Sequence, residues 1–331
     1  MRAWTISRYR APLVLGAHPE PTLGDRDVLV EVRAAALNRL DERIRRGALW
    51  PLLRHRFPLT LGHDVAGTVL RVGAQVRSFA AGDEVFGCAS AGRSGTFAER
   101  IALPETDLAQ KPAGLSWVEA AALPLVSLTA WQAFVEQTPV LPGTRVLVPA
   151  GAGGVGSVAI QLAATLGAEV TATASPRNMD FVRQLGAHHV LDSRREPASR
   201  SAASTDLVLD TLGGTALDTA LRLLRPGGTV IGLTGPPDPD YARAAGHGAL
   251  LTLAISGISA RVRRQARRLG VTYRFLMMRG DGAQLAKIAR LTESGAIRPV
   301  VGRVVPFANT ATALAELEAG GHRGKIVAEM R

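Results

Sequence analysis

The stretch from Arg145 to Glu169 leaves this chain few ways to fold. It opens as an apolar strand, Val146-Leu147-Val148-Pro149, and turns through Ala150-Gly151-Ala152-Gly153-Gly154-Val155-Gly156. It then continues as a helix carrying Val158, Ile160, Leu162 and Leu166, up to Gly167. This is G-x-G-x-x-G between a strand and a helix, the setting in which each glycine has a task. Gly151 allows the tight turn, Gly153 lets backbone approach a pyrophosphate, and Gly156 lets helix and strand pack closely. Ala152, Gly154 and Val155 complete the cradle, and phosphates would sit on the free N–H groups and dipole of the helix N-terminus. No charged residue lies between Arg145 and Glu169, which would also suit a membrane span. Glycines in the middle of the stretch argue against one continuous helix, and a buried parallel strand followed by a buried helix has the same apolar average.

The surroundings extend that unit. Before it, short alternating segments such as Val28 to Val32 and Leu61 to Val69, separated by Gly and Pro, predict a compact β-rich domain. Ser116 and Glu119 have the spacing of a capping box, and the texture turns helical there. After the glycine turn, strands alternate with helices: Glu169 to Ala174, His189 to Asp192, Asp206 to Asp210, Thr229 to Gly232 and Thr272 to Met278. This alternation is the signature of a doubly wound parallel α/β sheet. A helix from Gln284 to Ser294, strand-like Val300 to Val305 and a helix from Thr310 to Glu318 close the chain.

The start of the chain has no apolar segment of the secretory kind, and the lone Cys88 excludes an internal disulfide or a cysteine-based zinc site. Both favour the cytoplasm. A net charge of +11 raises nucleic acid as a partner, and Arg261 to Arg268 raises it locally. However, 36 of the 39 positive charges are arginines, a one-sided usage that reads as compositional bias. No recognition module accompanies the charge, so neither nucleic acid nor membrane is expected as a partner.

At this point the chain resembles the medium-chain dehydrogenase/reductase superfamily, in its zinc-independent quinone oxidoreductase branch to which zeta-crystallin belongs. The resemblance rests on Ala34-Ala35-Ala36-Leu37-Asn38, Leu61-Gly62-His63-Asp64-Val65-Ala66-Gly67, Gly82-Asp83-Glu84-Val85 and Leu123 to Ala130. The glycine turn, Leu209 to Gly214 and Gly324-Lys325-Ile326-Val327 complete it. It implies a Rossmann doubly wound parallel sheet inserted in a β-rich, GroES-like catalytic domain, with cofactor and substrate in a cleft between them. The expected bounds are 1–122 for the first part of the catalytic domain, 123–296 for the Rossmann domain and 297–331 for the returning tail. It also implies a homodimer through the edge strand Thr272 to Met278.

Zinc members of the superfamily use three ligands, and by motif these positions fall on Asn38, His63 and near Leu125. One ligand of three survives, and catalytic zinc needs three from the protein, so no metal is expected. His63 has two readings: a histidine bonded to a neighbour beneath the cleft, or a proton donor. At the end of the second strand, where an acid would bind the ribose of NAD, the chain has Ser175 and Arg177. A hydroxyl and a guanidinium suit a 2′-phosphate, so NADPH is the expected cofactor. Thr129, Asp210, Thr211, Leu233, Thr234 and Lys325 are expected beside it.

Without a metal Lewis acid, the acceptor expected is a quinone or other conjugated carbonyl, whose developing charge needs only modest hydrogen-bond help. Asn38 would orient the nicotinamide amide or the substrate carbonyl, and Trp50 and Phe275 would offer a flat wall for a ring. The first-domain loop, with Trp50, Arg54, His55 and Arg56, has no tyrosine, leaving water or His63 as proton donor. An enoyl or alkenal reductase of secondary metabolism and a non-catalytic NADPH-binding sensor are the alternatives.

Overall fold

The computed structural model describes residues 1–50, 52–53, 55–90, 92–194 and 204–330; Arg54 lies outside them. The chain divides into two compact units, Met1–Leu128 with Arg279–Arg331, and Thr129–Met278. In chain order the first strands are β1 (Arg2–Ile6), β2 (Val14–Ala17), β3 (Asp27–Ala36), β4 (Leu59–Thr60), β5 (Asp64–Val72), β6 (Glu84–Cys88), β7 (Arg100–Pro104) and β8 (Leu108–Gln110). They are followed by β9 (Arg145–Val148), β10 (Glu169–Ala174), β11 (His189–Asp192), β12 (Thr205–Asp210), β13 (Leu224–Gly232), β14 (Thr272–Phe275), β15 (Val301–Pro306) and β16 (Lys325–Glu329).

The first unit holds a sheet in the order β15-β16-β3-β5-β6-β8, with β7 also on β3, and a small sheet β2-β1-β4. β3 is buried along most of its length, as its run Val28, Leu29, Val30, Val32 requires. The tail returns to it: β16 pairs antiparallel with β3, setting Val327 opposite Ala36. That pairing brings Lys325 near Asn38, 287 residues away in the chain. The helix Gly282–Glu293 packs on β8 of this unit, so the compact Rossmann unit ends at Met278, ahead of the expected bound at 296.

The second unit is a six-stranded parallel sheet in the order β11-β10-β9-β12-β13-β14. This is the 3-2-1-4-5-6 order of the Rossmann fold, whose direction of winding reverses between β9 and β12 and opens a crevice at the strands' carboxyl ends. Leu147, Val208, Val230, Leu221 and Phe275 are among the residues that form its core. β14 is an edge strand, but it stops at Phe275 instead of Met278. Its outer edge is occupied there: Asp238 Oδ2 accepts from the Phe275 N–H at 2.7 Å and Gln137 Nε2 donates to the Phe275 carbonyl at 3.3 Å, while the Leu276 N–H makes the last bond to Gly232 of β13 at 3.0 Å.

Candidate active site

The second unit carries the glycine turn between β9 and the helix Gly154–Thr165. Its turn is tied to the neighbouring strand, because Gly151 N–H donates to the Thr173 carbonyl at 2.8 Å and Ala150 N–H to Thr173 Oγ1 at 3.1 Å. Gly151, expected to allow the tight turn, is instead close-packed, a Cβ there meeting Ile160 Cδ1 at 2.8 Å, and the positive φ of the turn falls on Ala150 at 53°. A Cβ on Gly156 would meet the Ala150 carbonyl oxygen at 2.4 Å and Gly151 Cα at 2.9 Å, whereas one on Gly153 would approach only that same oxygen, at 3.3 Å. Gly156 is thus required by packing, and the space over Gly153 is a cradle that a side chain would fill. Gly154 starts the helix, Gly154–Thr165, directly after Gly153. This arrangement fits a pyrophosphate, held by backbone N–H groups at a helix N-terminus.

Ser175 follows the last residue of β10 and begins a short helical turn, with Asn178 Nδ2 donating to its Oγ at 3.2 Å; Arg177 is exposed beside it. At the end of β12, Asp210 is buried and its carboxylate accepts from the N–H groups of Leu212 and Gly213 at 3.1 and 3.0 Å. Burial pushes its carboxyl above the usual range against those two bonds. Asp210 therefore shapes the turn before Gly213 and Gly214, and its side chain is spent there. Thr211 and Leu233 are half-buried and Thr234 is exposed, with Leu233 N–H bonded to the Asp210 carbonyl. Thr129 is buried in the helix Pro124–Trp131. Phe275 belongs to the core, edge-on to Tyr241 with ring centroids 5.0 Å apart. At 2% exposure it offers no wall to a substrate, while Trp50, in the first unit, is 56% exposed.

The first unit gathers Asn38, Asp41, His63, Asp64 and Lys325 into one buried network. His63 Nδ1 lies 2.5 Å from Asp41 Oδ1, and Asp41 Oδ2 accepts from the Asn38 N–H at 2.8 Å. The second contact follows from helix capping: Asn38 is the cap of Arg39–Arg45 and Asp41 its third residue. Asn38 Nδ2 donates to Asp64 Oδ2 at 2.9 Å and to the Ala36 carbonyl at 3.2 Å. Lys325 Nζ donates to the same Asp64 oxygen at 2.9 Å and to Asn38 Oδ1. Asp64 Oδ1 accepts from the Leu125 N–H at 2.7 Å.

This network revises two expectations, for Asn38 and Lys325, and gives His63 a neighbour to bond. Both amide protons of Asn38 are used internally, so its carboxamide positions Asp64 and Lys325 and has no proton left to orient a cofactor or carbonyl. Lys325 is turned inward, toward Asp64 and Asn38. His63 is fully buried, bonded to Asp41 through one nitrogen, while Nε2 has no partner among the described residues. A carboxylate holding the far nitrogen is how proteins orient a metal-ligating histidine. Yet the other two positions supply a carboxamide bonded to an ammonium and a leucine, a donor set that does not fit catalytic zinc.

Asp41 and Asp64 were visible only as motif letters, and their roles emerge from the capping geometry and the return of β16. One residue was missed altogether. Tyr9 reaches the first-domain loop, its hydroxyl 3.2 Å from His55 Nδ1 and its ring edge-on to Phe57 at 4.9 Å. The loop thus has a tyrosine after all, and no local sequence signal could have placed it there.

Comparison with known proteins agrees with this architecture. Residues 24–113 match the model described as alcohol dehydrogenase GroES-like domain, and residues 185–327 the one described as zinc-binding dehydrogenase. Human NAD(P)H oxidoreductase RTN4IP1, mitochondrial, is 32% identical over 99% of this chain and 88% of its own length. The Arabidopsis thaliana NADPH-dependent alkenal/one oxidoreductase, chloroplastic, is 33% identical over 99% and 79%. The structure of the quinone oxidoreductase from Coxiella burnetii superposes with a TM-score of 0.85 at 29% identity, covering 100% of this chain and 99% of that one. Since these relatives include organellar proteins, kinship does not carry the cytoplasmic expectation. With the GroES-like and Rossmann parts both matched and the ligand set altered at the metal position, the chain belongs to the medium-chain dehydrogenase/reductase superfamily, in its zinc-independent quinone oxidoreductase-like branch.

Proposed function

We propose that this protein is an NADPH-dependent oxidoreductase that reduces a quinone or an enone without zinc. The observation that carries the reading is the buried network of Asn38, Asp64 and Lys325, where an ammonium supplies the positive charge and a carboxamide replaces a thiolate. When bound, the nicotinamide supplies the hydride. The chain's own residues hold the pyrophosphate over Gly153 and the helix N-terminus, and Ser175 and Arg177 select the 2′-phosphate. His63, held by Asp41, is a positioning residue beneath the site. Hydride arriving at a quinone or at the β-carbon of an enone sends its electron pair to the conjugated oxygen. That charge is delocalised and needs no Lewis acid.

The alkenal reductase reading is favoured by the named activity of the Arabidopsis relative. A homodimer through β14 would use the edge from Thr272 to Arg274, because the outward groups of Phe275 are already bonded. Following NADPH absorbance with a panel of quinones and enones separates the readings. Quinone or enone turnover assigns the acceptor, and tight NADPH binding with no turnover of either class overturns the enzyme reading in favour of a sensor.

A further inference from the structure

The Rossmann unit exposes an apolar and basic surface that the oxidoreductase reading leaves unused. Three helices run between β13 and β14, and the last two, Ala249–Ile258 and Ala260–Arg268, are joined through Ser259, whose backbone stays in the α region at φ −87° and ψ −1°. Ile255, Ser259, Val262 and Ala266 face the unit's interior. The opposite positions are in water: Leu250 is 86% exposed, Leu253 71% and Ile258 66%. From Ile258 onward, at steps of three, three and four residues, these give way to Arg261, Arg264 and Arg268, which with Gln265 line a shallow depression of about 240 Å³. Among the described residues Arg261 lies 3.9 Å from Asp218, and Arg264 and Arg268 make no ion pair.

Three large aliphatic side chains in water next to unpaired guanidinium groups call for a partner that is apolar and anionic at once. A second copy of the chain fits poorly, because an isologous contact sets arginines against arginines or against leucines and buries guanidinium charge with no carboxylate. Nucleic acid would satisfy the arginines and leave the leucines exposed. We propose that this surface docks on an anionic lipid bilayer, with Leu250, Leu253 and Ile258 entering the acyl boundary and Arg261, Arg264 and Arg268 on lipid phosphates. No helix among the described residues is long and apolar enough to cross a membrane, so the protein would lie on the bilayer without spanning it.

Co-sedimentation of the full chain with phosphatidylglycerol/phosphatidylcholine vesicles, and with pure phosphatidylcholine vesicles, at low and high salt tests this. The expected result is partition onto the anionic vesicles alone, weakened by salt. Arg264→Gln with Arg268→Gln should lower the partition coefficient roughly thirtyfold, at about fivefold per arginine. Leu250→Glu with Leu253→Glu should abolish binding. All four side chains are exposed, so both variants should keep the native thermal midpoint and NADPH affinity. Failure to bind anionic vesicles, equal binding to neutral ones, or unchanged binding by either variant overturns the proposal. Conversion of a dimer to a monomer by the leucine variant in sedimentation velocity would instead make the surface an interface between copies and overturn it too.

Discussion

Lys325→Met isolates what the buried network contributes. The substitution keeps the length and apolar stem of the side chain and removes the ammonium that Asp64 shares with Asn38. Asp64 is wholly buried and Lys325 nearly so, so water cannot replace the lost partner. The Leu125 N–H and the Asn38 amide would remain on the carboxylate, and neither carries a full charge. Removing one member of a buried ion pair costs about 3–5 kcal/mol. In a unit of this size that corresponds to a thermal midpoint lower by roughly 6–20 °C. The partner variant, Asp64→Asn with Lys325→Met, removes both charges and keeps an oxygen for the Leu125 N–H. It should recover most of the loss, with a coupling of roughly 2–3 kcal/mol between the sites. Urea unfolding followed by circular dichroism, with the four proteins of the cycle side by side, measures it. A single-variant cost below about 1 kcal/mol, or additive costs in the double variant, would refute the reasoning.

The two glycines of the turn should separate by assay. Gly153→Ala should leave the thermal midpoint unchanged and raise the NADPH dissociation constant roughly tenfold, about 1.4 kcal/mol, whereas Gly156→Ala should cost about 1–3 kcal/mol of stability from overpacking. Arg177→Ala should raise KM for NADPH roughly tenfold through loss of a charged hydrogen bond and leave KM for NADH as it is, which steady-state kinetics with both cofactors checks. Hydrogen bonds from Arg93, at 3.0 and 2.8 Å, hold the Asp27 carboxyl below its usual range against the opposing effect of burial. A carboxyl held low stabilises the fold above its unfolded-state pKa and loses that contribution as pH falls through the lowered value. Arg93→Ala should therefore cost about 0.5–1 kcal/mol at neutral pH, small because the guanidinium is half in water, and the difference should vanish in strong acid. Burial pushes the Cys88 thiol well up, so a disulfide reagent should react with it only as the protein unfolds.

Much of this architecture was legible because its elements carry local signals. The period of β9 and its helix, the glycine turn and the alternation that follows led to a six-stranded parallel sheet, and Ser116 with Glu119 forms the expected capping box. The placement of the candidate residues was legible where chain order alone decides it: the glycine turn lies between β9 and its helix, and Ser175 and Arg177 follow β10; their part in binding NADPH is a proposal. It was illegible where a side chain's partner comes from far along the chain. Nothing near Lys325 says that it will meet Asp64, 261 residues earlier; the antiparallel pairing of β16 with β3 decides that. Nor does Phe275 show in sequence whether it faces a ligand or the core, since an apolar aromatic at the end of a strand satisfies both. The extent of β14 differed too: Leu276, Met277 and Met278 have strand-like composition, but the strand ends at Phe275, whose outward groups are taken by Asp238 and Gln137.

The proposed chemistry depends on a carboxamide and a leucine standing where zinc relatives place two of their three metal ligands, with the Lys325 ammonium bonded to that carboxamide. Purified protein should be assayed for NADPH oxidation with its best quinone or enone before and after exhaustive treatment with a zinc chelator, with metal content read by mass spectrometry. Full turnover in protein that contains no stoichiometric zinc is the expected result. Activity that disappears with the chelator and returns on adding zinc would contradict it.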